Sequence, residues 1–228
     1  MTHPSGDTAQ FSFGKWTRRL ATAVLLSLTS VSVSGCLYDV PLTIEASTNI
    51  DTRLLGVFEY EETVLPPADA PPLGPDDEAE IVIHRAAVIP RGPDTYWIFY
   101  RNFGQTPAKT LRFIGWISRV DDVDYLTLMD DTEGSDKIGK FSFVKFDWNF
   151  PGNFSISSPN MQGLESGVTP MEMREGVRAR LAEGTLFPYQ PTPWKKIARV
   201  YLDKNAEDAA LTIPKEFELG TEREQPGL

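Results

Sequence analysis

The sequence predicts a mainly β protein: an antiparallel meander that forms a small barrel or a strongly curved sheet, with one α-helix on its C-terminal side. Three observations predict it. Aromatic residues make up 11% of the chain, and most of them fall between Phe58 and Phe154. Such side chains fit a pleated, half-buried surface. That stretch also breaks into short runs separated by turn residues at regular spacing, the pattern of an up-and-down arrangement. Finally, a single helix signature stands apart near residues 170–184.

The elements follow in order. Leu54-Leu55-Gly56-Val57-Phe58-Glu59-Tyr60 opens the domain, with Val57, Glu59 and Glu61 alternating against Phe58, Tyr60 and Glu62 as a first strand requires. Pro66 to Asp77 holds too many prolines for a central strand and reads as a long loop. Strand-like runs follow at Glu80–Ile89, Thr95–Arg101, Thr110–Val120, Val123–Met129, Gly139–Asn149 and Asn153–Ser157. The turns between them carry Pro90-Arg91-Gly92-Pro93-Asp94, Asn102 to Pro107, Asp121-Asp122, the acidic Asp130–Lys137 and Pro151-Gly152. Phe141 and Phe143 point to one face of their strand, and Phe146 and Trp148 to the other, so one face can meet a helix while the other fills the interior. Tyr96, Phe113 and Trp116 read as core residues in the same way, with lining of a ligand cavity as the functional alternative.

The helix starts at Thr169, which can cap it, with Pro170 in the first turn and Glu172 placed for a capping box. Gly184 can stop it. Met173, Val177 and Leu181 recur every four residues and give one apolar face, expected to pack on the sheet or plug one barrel end. Phe187–Pro193 reads as a Pro-broken connector, Ile197–Leu202 as a last strand closing on the first, and 204–228 as a loose polar tail.

Charge and residue counts narrow the function. The net charge is −10, and residues 1–35 are net positive, so the remainder is more acidic still. An acidic surface repels phosphate backbones, which argues against nucleic acid as a partner. Only His3 and His84 could serve as a catalytic imidazole, and His84 reads as a surface or satisfied core residue of a strand. No nucleophile elbow, phosphate-binding loop or dinucleotide fingerprint occurs. The acids single out no pair for glycoside chemistry. Asp130–Asp136 offers oxygens, yet it lacks the alternating spacing and terminal Glu of a calcium loop, and no Cys/His set exists for zinc. The sequence therefore predicts no enzyme, no metal site and no cofactor.

The N-terminal stretch has the three parts of an export signal. Lys15, Arg18 and Arg19 are positive, Leu20–Val33 is apolar and diluted by Ser and Thr, and Val33-Ser34-Gly35-Cys36 follows. This ending resembles the lipobox of bacterial lipoproteins. The resemblance implies cleavage between Gly35 and Cys36, diacylglycerol on the Cys36 sulfur and a further acyl chain on the new amino group. Two or three chains, at about 0.8 kcal/mol per buried methylene, anchor stably. In that family Asp after the Cys retains the protein in the inner membrane. Leu37 here implies the outer membrane, facing the periplasm.

Cys36-Leu37-Tyr38-Asp39-Val40-Pro41-Leu42-Thr43 followed by Leu54-Leu55-Gly56-Val57-Phe58 resembles the opening of a group of uncharacterised envelope lipoproteins, which supplies no function. Gly56-Val57-Phe58 is similar to the Gly-x-Trp opening of lipocalins, with Phe in place of Trp; that resemblance implies a small apolar ligand. The domain reading is then a signal at 1–35, a tether at 36–52, a β-rich domain at 53–203 and the tail at 204–228. The expected role is a lipid-anchored structural or protein-interaction module with an envelope protein as partner. The alternative is lipocalin-like carriage of an apolar ligand.

Overall fold

Two-residue alternation, cut by turns, produces eight strands that close on themselves. In a computed structural model of the chain, the residues described are 37–64, 79–104, 109–150, 152–164, 166–200, 214 and 217, all within the unit 36–228. The signal, Gly35, Cys36 and the Pro66–Asp77 loop lie outside the described residues. The strands are β1 (Gly56–Val64), β2 (Glu80–Pro90), β3 (Thr95–Asn102), β4 (Thr110–Val120), β5 (Val123–Asp130), β6 (Phe141–Phe150), β7 (Asn153–Ser157) and β8 (Thr192–Arg199). Each pairs antiparallel with the next, and β8 closes on β1, giving an up-and-down barrel. Asp121 and Asp122 form the tight β4–β5 turn, with Asp121 at a φ of 52°, a conformation that Asp tolerates better than most residues.

Sidedness follows the pleat. Inward side chains include Phe58, Val88, Tyr96, Ile98, Ile117, Phe154 and Trp194, which form one continuous apolar core with Phe113, Phe146 and Trp148 packed on it. The outer wall carries charge. Glu59 pairs with the buried Arg85 across β1 and β2 at 2.8 Å, and Arg85 and Arg101 both lie over the Phe103 ring.

The helix α1 (Pro170–Glu183) is built as its sequence predicts. Thr169 and Glu172 make a reciprocal capping box, and Gly184 ends the helix at a φ of 70°. Met173 and Val177 are fully buried against Val120, Tyr125 and Phe143 on the outer face of β4–β6. The helix therefore packs on the wall and plugs neither end. Leu181 departs from the expected apolar face: it lies a turn beyond the wall contact and stays partly exposed. Trp116, Phe141 and Phe143 likewise belong to the outer face, whereas Phe146 and Trp148 fill the interior.

Three expectations need correction. The segment after Cys36 is not a free tether from residue 37 onward. Strand β7 is short and stops at Ser157, opposite Lys145, so the edge of β6 beyond it lacks a partner. Tyr38 fills that gap: its N–H donates to the Phe141 carbonyl at 2.7 Å, and the Phe141 N–H donates to Tyr38 at 2.9 Å. Further along, Trp116 Nε1 donates to the Thr43 carbonyl, the Ser47 N–H to Ile117 and the Ile50 N–H to Pro93. Leu42 is fully buried.

The last strand begins at Thr192 rather than Ile197. Pro193 is tolerated because it sits near the strand start, before the ladder with β1 begins at Lys195. The tail, expected to be loose, has a partner at Phe217, which is buried against Val57 and Ala87 on the outer wall.

Candidate functional site

Up-and-down topology gives the barrel two ends. The upper rim is where β1, β3, β5 and β7 finish. The lower end is where they begin.

The lower end is closed by the chain leading into β1. Asp51 caps a single 3-10 turn, Thr52–Leu54, and Leu54 and Leu55 are buried in the barrel core. The buried Tyr96 hydroxyl accepts from the Asp51 N–H at 2.6 Å, and desolvation pushes this phenol up to about 12. Phe58 lies above, fully buried, with the Lys196 ammonium 4.9 Å from its ring centre. Lys196 Nζ also donates to the carbonyls of Arg53 and Leu55, so this one cation ties β8 to the turn preceding β1. Burial lowers the Lys196 pKa, with Arg199 acting in the same direction. Gly56 is required here. Its φ is 150°, and a Cβ would come within 2.5 Å of the Ala198 carbonyl, where a bulge shifts the β1–β8 register. A half-open cleft of about 650 Å³ lies outside this closure, lined by Arg53, Leu55, Asn153, Lys196 and Arg199 among others.

Toward the upper rim the inward positions turn polar. Glu62 and Tyr60 follow Phe58 on the inner face of β1, His84 precedes Ala86 on β2, and Tyr100 precedes Asn102 on the inner row of β3. Register brings them together: Tyr60 pairs with His84, and Ala86 with Tyr100. His84 is 3% exposed; its Nε2 lies 2.9 Å from Glu62 Oε2 and its Nδ1 2.6 Å from the Tyr100 hydroxyl. A carboxylate can only accept, so Nε2 carries the proton and the neutral imidazole accepts the Tyr100 O–H at Nδ1. The rings of Tyr60 and Tyr100 stack against the imidazole. Desolvation lowers the His84 pKa, opposed in part by the bond to Glu62. Desolvation raises that of Tyr100, and the Glu62 charge adds to it. The phenol thus keeps its proton and directs it at His84, which leaves the arrangement internally satisfied. Glu62 is its only member with substantial exposure.

His84 is therefore a core residue with both ring nitrogens partnered. The relay of Glu62, His84 and Tyr100 was not singled out by sequence reasoning. The available signal was parity, since all three share the inward phase of their strands. The Asp130–Asp136 loop uses its first acid internally: Asp130 accepts from the Thr132 N–H and the Ser135 hydroxyl. Among the described residues no group of acids, histidines and cysteines is arranged to hold a metal ion, and no helix is long and apolar enough to cross a membrane. No family model, curated protein or solved structure matches the chain.

Proposed function

We propose that this is a lipid-anchored lipoprotein of the bacterial envelope, held through Cys36 in the outer membrane and facing the periplasm. Its barrel acts as a rigid structural or protein-interaction module without catalytic activity. The filled barrel interior carries the second part. A carrier of apolar molecules needs a connected internal cavity of a few hundred Å³. Here the volume between the walls is occupied by Phe58, Tyr96, Ile98, Ile117, Phe154 and Trp194, with the His84 relay above them. The cleft of that size lies at the lower end and is edged by cations.

The anchor is supported by Val33-Ser34-Gly35-Cys36 directly after an apolar stretch behind Lys15, Arg18 and Arg19. Intact mass of the membrane-extracted protein tests it. Residues 36–228 plus a diacylglycerol and one acyl chain, lost in Cys36→Ser, is the expected result. A mass retaining residues 1–35 overturns it.

The lipocalin-like reading has one observation in its favour, the Gly56-Val57-Phe58 opening placed behind a 3-10 turn and beneath a cation from the last strand. A titration with a fluorescent fatty acid separates the two readings. No saturable binding is expected, and one-to-one saturation would establish the carrier.

A further inference from the structure

The docked N-terminal segment fixes where the barrel sits relative to its anchor. A flexible segment over residues 36–52 would hold its ends roughly 20 Å apart and let the domain tumble. Tyr38 removes that freedom. It is bonded on both sides of its peptide unit to Phe141, its ring packs on Phe143, and Asp39 forms an ion pair with Lys140. Only Leu37 separates Tyr38 from Cys36, a reach of at most about 7 Å between Cα atoms. The bridge is antiparallel, so the chain enters Tyr38 from alongside β6.

The surface around that point carries exposed apolar and aromatic side chains. Ile138, 55% exposed, stands at the rim just before β6, between Lys137 and Lys140. On the flank, Phe187 stacks on Tyr125 with the Lys145 ammonium over its ring. Two residues on, Tyr189 is 73% exposed. Tyrosine and long basic side chains beside an exposed aliphatic group are the types that settle at a membrane–water interface.

We infer that the β6 flank and its adjoining rim, marked by Ile138 and Tyr189, lie directly against the bilayer that holds the lipid on Cys36. This rests on the proposed lipidation. The short connection supplies a high local concentration of this surface at the lipid, so weak interfacial contacts suffice. The barrel is then presented in one orientation, with the β2–β3 hairpin at 91–94 directed away from the membrane.

Hydrogen exchange read by mass spectrometry tests it, with the full protein in phosphatidylethanolamine–phosphatidylglycerol vesicles compared with soluble Cys36→Ser. Slower exchange on the membrane is expected at 137–140 and 187–190, with no change at 91–94. A second variant inserts ten Gly and Ser residues between Leu37 and Tyr38. It should keep the lipid by intact mass and lose the protection. Lipidated protein with no local protection overturns the orientation alone, and so does protection that survives the insertion. Absence of lipid on Cys36 overturns both the anchor and the orientation.

Discussion

At the lower end of the barrel the chain closes on itself with apolar side chains and backbone bonds. Leu54, Leu55 and Phe58 are buried, Tyr96 holds the Asp51 N–H, and Lys196 binds two carbonyls of the entering turn. Near the upper rim the same inward row of positions holds a carboxylate, an imidazole and a phenol. The lower closure holds no histidine, whereas the relay has His84. One barrel thus combines an end held by apolar side chains and backbone bonds with an end that carries a titratable imidazole. Parity along the strands, continued past the apolar residues, creates the difference.

The largest effect should come from breaking the lower end. Phe58→Ala removes a fully buried ring that also carries Lys196, and unfolding in urea should show a loss of about 4 kcal/mol. A loss under about 1 kcal/mol would mean that the closure is held elsewhere.

A smaller change at the same end is Tyr96→Phe, which leaves the Asp51 N–H without its acceptor. The cost should be about 1–2 kcal/mol and the same at pH 8 and pH 5. A cost that varied with pH would dissolve the contrast between the ends.

The upper end supplies the third and smallest effect. Burial lowers the His84 pKa in the folded protein, while the unfolded chain titrates near the ordinary 6.5. The unfolded state therefore binds the proton first as pH falls. The contribution of neutral His84 is complete above pH 6.5 and is lost as pH drops through the folded value, with a slope of no more than about 1.4 kcal/mol per pH unit. Thermal unfolding of His84→Gln between pH 7 and pH 5 should be flatter than that of the unaltered protein by this increment. Parallel curves for the two proteins would show that His84 is not the source.

Much of the framework was legible in the sequence. The runs Glu80–Ile89, Thr110–Val120 and Val123–Met129 agree with β2, β4 and β5 to within a residue at each end, because alternation and turn residues are local signals. The helix was legible down to its caps for the same reason. Residues 37–50 were not, since their structure comes from pairing with β6 and β4 and leaves no period of their own. Pro193 hid the start of β8 because a proline reads as a breaker until its place near the strand start is known. The relay was hidden differently. Glu62, His84 and Tyr100 lie far apart along the chain, and register alone joins them.

Closure of the barrel has a further consequence for how the chain becomes folded. Strand β1 is hydrogen-bonded on one side to β2, close in sequence, and on the other to β8, whose Arg199 pairs with Gly56. Contacts of such separation pay loop-closure entropy before they gain pairing, and they slow folding. A chain emerging from its N-terminus keeps the outer edge of β1 unpaired until Thr192–Arg199 arrives, which follows α1 in the chain. Once it has emerged and until it docks on β1, β8 is protected against pairing with other chains by Pro193 at its start and by Lys195 and Lys196 along its length, residues that blunt an open strand edge.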